Sequence, residues 1–331
     1  MSTDAPATSG DDKKKDEEPK TLLEKAGAAL PVALTALAAL FGSMSNGALQ
    51  EAMYWKSQAA QDQSKATNQW SLAGFKRDRA LIMQATTAQL RAGAGYARPQ
   101  FATPPKPPEK ASEDELKAFN DRSAKARDWL TERGEKGLPP VKMPEVDDPQ
   151  IKELRDAIEA RAPEQELLKK ARSVDMVKIN KAIDDAEKYT EQTDKEWSPI
   201  LGLASAWVRA QEGAKADPPD AAKQAANATA AQAAGFDLEE RRYRAESRMN
   251  QGIGFLYEIR VKVSSAESDK HRKKSEFLTY AMLVAQIGAV ASSLALARKQ
   301  KNVLWLFAAM VGLVAVGVGG YALVPPKFLP F

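Results

Sequence analysis

The chain has 331 residues, with 48 basic side chains against 44 acidic ones, a single histidine and no cysteine. Without cysteine there are no disulfides, no thiolate chemistry and no sulfur-ligated zinc; one histidine, His271, rules out a multi-histidine metal site and restricts any Ser-His-acid arrangement to that residue. A net charge of +4 with interspersed signs gives no nucleic-acid footprint, and a mean hydropathy of -0.45 hides the segregation of apolar residues into blocks.

Residues 1–25 form a charged tail whose composition predicts disorder. Ala26 to Gln50 carries no charge and has its apolar centre at Leu30 to Phe41, so residues 26–48 are expected to be a first transmembrane helix. A cleaved signal peptide is the competing reading, because Ala36-Leu37-Ala38 imitates a cleavage site. The preceding stretch is long and acidic (Asp11, Asp12, Asp16, Glu17, Glu18, Glu24), whereas signal n-regions are short and basic. Pro31 is expected in the first helical turn, where its missing N–H costs nothing, and Tyr54 and Trp55 in an interfacial belt.

Residues 49–95, proline-free over Gln50 to Arg91 and rich in Ala, Gln and Lys, predict a stalk helix. Residues 96–111, with Pro99, Pro104, Pro105, Pro107 and Pro108, read as an extended linker that acts as a spacer. Residues 112–235 read as a helical insertion with proline breaks. Ser112-Glu113-Asp114-Glu115 is a capping box opening a helix to about Arg133, and Pro163 interrupts the next helical region. Met176, Ile179, Ile183, Ala186, Thr190, Thr193 and Trp197 form a heptad seam. Pro199 to Val208 is apolar but too short to span a bilayer, which makes it core or an interfacial turn. Asp217-Pro218-Pro219-Asp220 is a second break followed by an Ala-rich helix, and residues 236–276 predict a second stalk helix with an apolar face at Tyr243, Met249, Ile253, Leu256 and Tyr257. No strand pattern persists, Val261-Lys262-Val263 being the best short case.

Residues 277–324 read as a transmembrane hairpin. Phe277 to Ala297 and Val303 to Val324 are uncharged runs of 21 and 22 residues, and Arg298-Lys299-Gln300-Lys301-Asn302 joins them. Trp305 and Tyr321 are expected at the two interfaces, and Pro325-Pro326 ends the helix before a tail at 325–331. Ala281, Ala285, Gly288, Ser292 and Ala295 recur at spacings of four and three, as do Ala308, Gly312, Ala315, Gly319 and Ala322. Each set is one stripe, expected to pack closely against the other or against a third helix. Gln286, a mid-span amide, is expected to hydrogen-bond across helices or to line a polar path; the lack of an ionisable companion favours the former.

The basic link and the N-terminal lysines place both in the cytoplasm by the positive-inside rule and the middle region outside, although Lys270, Arg272, Lys273 and Lys274 flank the opposite end of the span. His271, in that basic run, reads as a polar residue at the membrane interface. Gly252-Ile253-Gly254 lacks the third glycine of a dinucleotide fingerprint, Asn227-Ala228-Thr229 matches a glycosylation acceptor of a kind common by chance, and the adjacent acids Asp184-Asp185 and Glu239-Glu240 read as solvated.

Two pieces of the sequence resemble a bacterial membrane family, the domain-of-unknown-function family 4337. One is Ala66-Thr67-Asn68-Gln69-Trp70 in a helix following the first span, departing from the family pattern at Ser71, Leu72 and Ala73. The other is His271 through Phe277, Gln286-Ile287, the basic link and Trp305. The resemblance implies three spans and a coiled stalk, and it carries no catalytic residue. The expectation is therefore an all-α integral membrane protein with three transmembrane helices and a long helical, coiled-coil polar region. It is expected to be multi-pass in the bacterial cytoplasmic membrane with the middle region periplasmic. No enzymatic activity, catalytic residue, cofactor or metal is expected. The lipid bilayer, further copies of the chain and an envelope protein are the partners expected, and nucleic acid is not. The competing function is a small oligomeric channel or transporter component whose hairpin lines a pore.

Overall fold

The computed structural model describes residues 22–93, 98–102, 104–132, 137–141, 143, 146, 148–213, 220–298 and 303–324. The basic link at 299–302, most of the N-terminal tail and the tail after Val324 lie outside the described residues. Among the described residues the fold is all helical: α1 (Leu22–Gly93), α2 (Glu113–Thr131), α3 (Pro149–Glu159), α4 (Glu164–Ala171), α5 (Met176–Glu212), α6 (Ala221–Arg298) and α7 (Val303–Leu323). Three of these, α1, α6 and α7, are long and apolar enough to cross a membrane.

The long helices depart from the sequence reading at two places. Because α1 begins at Leu22, Pro31 lies inside it, not in its first turn. The ring removes one backbone hydrogen bond, and Thr35 Oγ1 donates to the Pro31 carbonyl at 2.8 Å one turn later. The Ala-rich helix after Asp220 and the second stalk helix are one continuous helix from Ala221. Residues 221–235 are mostly alanine, the strongest helix former, and no proline follows until Pro325. Gly235 is accommodated because it lies against Val208, whose Cγ2 would be 3.2 Å from an added Cβ.

The chain divides into two compact units, one comprising residues 1–54 and 268–331 and the other residues 55–267. In the first unit, parts of α1 and α6 and all of α7 surround a small core of Ala38, Phe41, Leu278, Ala281, Ala285 and Ala315.

The second unit has two cores. One gathers Ile151, Leu154, Leu167, Ile179, Ile183, Ile253, Leu256 and Ile259 with Ala66. The other joins Trp129, Leu130, Trp197, Leu201, Trp207 and Leu238. The heptad positions Ile179, Ile183, Ala186, Thr193 and Trp197 are buried, and Ile200, Leu201, Ala204 and Trp207 continue the same buried face past Pro199. Local caps delimit the short helices. Ser112 and Glu115 form both halves of a capping box at α2, and Asp148 accepts from Gln150 and Ile151 at the start of α3. The far end of α2 is capped from a distance, where Arg241 Nη2 donates to the Trp129 carbonyl at 2.7 Å.

Within the second unit, the proline-rich segment is tied to α6 and α5 at Gln100 and Phe101. Gln100 N–H donates to Asn227 Oδ1 at 2.6 Å, the Asn227 amide donates back to the Gln100 carbonyl at 2.9 Å, and Phe101 meets Trp207 edge-on. The amide of the apparent glycosylation acceptor is thus engaged with backbone.

Candidate functional site: an uncharged polar groove between two long helices

In the first unit, side chains of α1 fill gaps left by glycine and alanine on α6 and α7. A Cβ added at Gly288 would lie 3.1 Å from Leu34 Cδ1, and one at Gly312 would lie 2.9 Å from Leu34 Cδ2. A Cβ at Gly319 would collide with the Phe41 ring. Ala281, Ala285, Gly288, Ser292, Ala295, Ala308, Gly312, Ala315 and Gly319 are all buried, and Ala322 is half-buried. Leu34 therefore serves both stripes, and Phe41 fills the gap at Gly319. This is the packing that drives helix association where lipid removes the hydrophobic difference between inside and outside.

Hydroxyl groups add to the α1–α6 contact. Ser45 Oγ is 3.0 Å from the Ser275 carbonyl and 2.8 Å from Thr279 Oγ1, and Ser268 Oγ donates to the Ala52 carbonyl at 2.8 Å. Near the end of the span, His271 Nδ1 lies 2.6 Å from Glu51 Oε2. The aromatic residues divide. Tyr54 is exposed, Trp55 and Trp305 are half-buried, and Tyr321 is half-buried with its ring edge-on to Phe277 at 5.3 Å between centroids.

Between α1 and α6 lies an open groove of about 1080 Å³. Thr35, Ala38, Ala39, Gly42, Ser43, Asn46, Gly47 and Gln50 line it from α1, with Met282, Gln286, Ala289 and Val290 from α6. Asn46, Gln50 and Gln286 are exposed, and their side chains form no hydrogen bond to any described residue. Gln286 thus sits on the groove wall, and no bond from it crosses between helices inside the bundle. The groove carries no ionisable side chain. It offers amide donors, amide acceptors and two hydroxyls, which suits recognition of uncharged hydrogen-bonding groups and supplies neither an acid–base pair nor a nucleophile with a base.

A second polar cluster, in the other unit, is closed upon itself. Asp62, fully buried, accepts from Arg260 Nε at 2.9 Å and from Gln58 at 3.2 Å, while Arg260 Nη1 donates to Asn180 at 3.2 Å. Tyr257 donates to Glu187 at 2.7 Å; burial first, then that carboxylate, push its phenol up to about 12. Trp70 Nε1 donates to Glu258 at 2.7 Å, and burial raises the Glu258 carboxyl above the usual range. These side chains hold helices together. Sequence reasoning singled out Gln286 of the groove but none of its companions on α1, and it missed the second cluster. The groove's signal was available, in that Thr35, Ala39, Ser43 and Gly47 recur every four residues beside Asn46 and Gln50. Asp62 and Arg260 are 198 positions apart and offer no local pattern.

Among the described residues no group of histidine, cysteine and acidic side chains could hold a metal ion. No family model, no curated protein and no solved structure matches the chain, so the resemblance to family 4337 rests on its quoted residues.

Proposed function

We propose that this chain is a non-catalytic, membrane-anchored helical protein that self-associates, with α1, α6 and α7 spanning the bilayer and the middle region acting as an interaction stalk in the bacterial envelope. One observation carries the reading: Gln286, a mid-span amide, stands exposed on a helix apolar enough to cross a membrane, with Asn46 and Gln50 exposed on the same groove toward the end of the first span. An amide left facing hydrocarbon costs several kcal/mol by the roughly 4–8 kcal/mol water-to-hydrocarbon transfer scale, so another hydrogen-bonding surface must cover it. The pore reading draws less support. The exposed residues of α7 include Leu306, Phe307, Met310, Leu313, Val314 and Val316, an apolar face suited to lipid and not to an aqueous lumen.

The test is the mass of the full chain in mild detergent, by light scattering on a sizing column with outline by negative stain. A defined oligomer is expected. A monomer at every concentration, with no retained partner, sinks the reading.

A further inference from the structure

We infer that the groove on α1 is the surface on which two copies of this chain meet, in a parallel two-fold contact running along Thr35, Ser43, Asn46, Gly47 and Gln50 with Gln286 at its flank. The inference rests on the self-associating reading above and names the partner and the face.

Copies inserted by one topology share their orientation, so a two-fold axis relating them lies along the membrane normal. An isologous contact about such an axis brings residues near it against their own counterparts at the same depth. That geometry selects for side chains able to pair with themselves. An amide has two donors and a carbonyl acceptor, and a hydroxyl has both roles, so Asn46 can bond Asn46 and Ser43 can bond Ser43 of a second copy. A charged side chain would meet its like, and the groove has none. A phospholipid headgroup or an acidic or basic partner segment would call for the charges that are missing. Close approach is open along the same face: Gly47, which lines the groove, has nothing within 4 Å of an added Cβ. Gly42, by contrast, is taken up by Met282, whose Sδ would lie 3.0 Å from an added Cβ. The groove is about 1080 Å³, room for the side chains of a facing helix ridge.

The chain has no cysteine, so single substitutions report one position each. Ser43→Cys and Gly47→Cys, in the full chain reconstituted in phosphatidylcholine vesicles, are expected to form disulfide dimers under mild oxidation, because a disulfide needs Cα atoms within about 7 Å. Leu313→Cys, on the outer face of α7, is expected to stay monomeric. Asn46→Leu added to Ser43→Cys should lower the dimer yield about threefold or more, the weakening expected from one interhelical amide bond. Equal cross-linking at Leu313→Cys, or cross-linking there and not at 43 and 47, overturns the interface. If light scattering finds an oligomer while 43 and 47 fail to cross-link, only this interface is lost. If the protein is monomeric, the self-associating reading falls with it. Should Asn46→Leu fail to fold, the cysteine comparison still decides the matter.

Discussion

Trp70 donates its indole N–H to Glu258 at 2.7 Å, and the bond does not offset what the carboxylate loses by leaving water. Burial raises the Glu258 pKa above 4.5, while the Trp70 bond and the charge of Lys262 pull it back. A carboxyl whose folded pKa lies above its unfolded value binds its proton more tightly in the folded state. It contributes stability that is present at low pH and is lost as pH rises through the folded value. Glu258→Gln keeps an acceptor for Trp70 and removes the charge. The variant should be at least as stable as the parent at pH 7, with the difference shrinking as pH falls toward 4.5. Urea midpoints followed in mild detergent at several pH values check this, and a pH-independent loss in the variant would count against it. The residue pairs that matter here were not legible in the sequence. Trp70 stands in a conspicuous Gln-Trp element, but its partner is 188 positions away. Only the fold brings a buried carboxylate to an indole.

At the scale of elements, the apolar runs of α1, α6 and α7 announced themselves and the contact face of α1 did not. Uncharged runs the length of a bilayer need no partner to be recognised, since length and composition are properties of the run itself. The contact face of α1 is subtler. In the second unit Ala59, Ala66, Ala73 and Ala80 are buried at intervals of seven, followed by Thr87. An alanine every seventh residue hardly shifts hydropathy and disappears in an alanine-rich chain, which is why the stretch reads only as a polar helix. Its consequence is close approach: Ser247 Oγ donates to the Ala73 carbonyl at 2.8 Å, and a Cβ at Gly254 would lie 3.3 Å from the Trp70 ring. Ala73→Leu should therefore wedge the helices apart and cost about 1–3 kcal/mol, the usual penalty of overpacking. Leu at Ala60, the exposed neighbour of a buried position, should cost little. Thermal unfolding of the two variants separates a close-packed contact from a loose one; equal effects would refute it. Caps show the same division. The Ser112 box is written in four consecutive residues, while the arginine that caps the other end of α2 comes from α6.

At the scale of the molecule, the two units are held by different forces. The core of the second is a set of Leu, Ile and Trp side chains that gain by leaving water, at roughly 25 cal/mol per Å². The core of the first is built on Ala38, Ala281, Ala285 and Ala315 around Phe41 and Leu278; in the proposed membrane setting lipid or detergent competes on equal terms there and close packing decides. Urea acts by solvating apolar and peptide groups that water reaches. It should therefore open residues 113–267 first and leave 277–297 and 303–323 protected. Hydrogen exchange in mild detergent, resolved by peptide, reads the two separately. Protection in the tryptophan-rich segments around Trp129, Trp197 and Trp207 is expected to fall at urea concentrations that leave the Ala281 and Ala315 peptides unchanged. Loss of both at one midpoint would mean that a single cooperative core spans them, and that the small-residue packing of the first unit has no stability of its own. Detergent chain length should have the converse effect, moving protection of the Ala281 and Ala315 peptides while the urea midpoint of the second unit stays in place, because only the first core is solvated by the micelle.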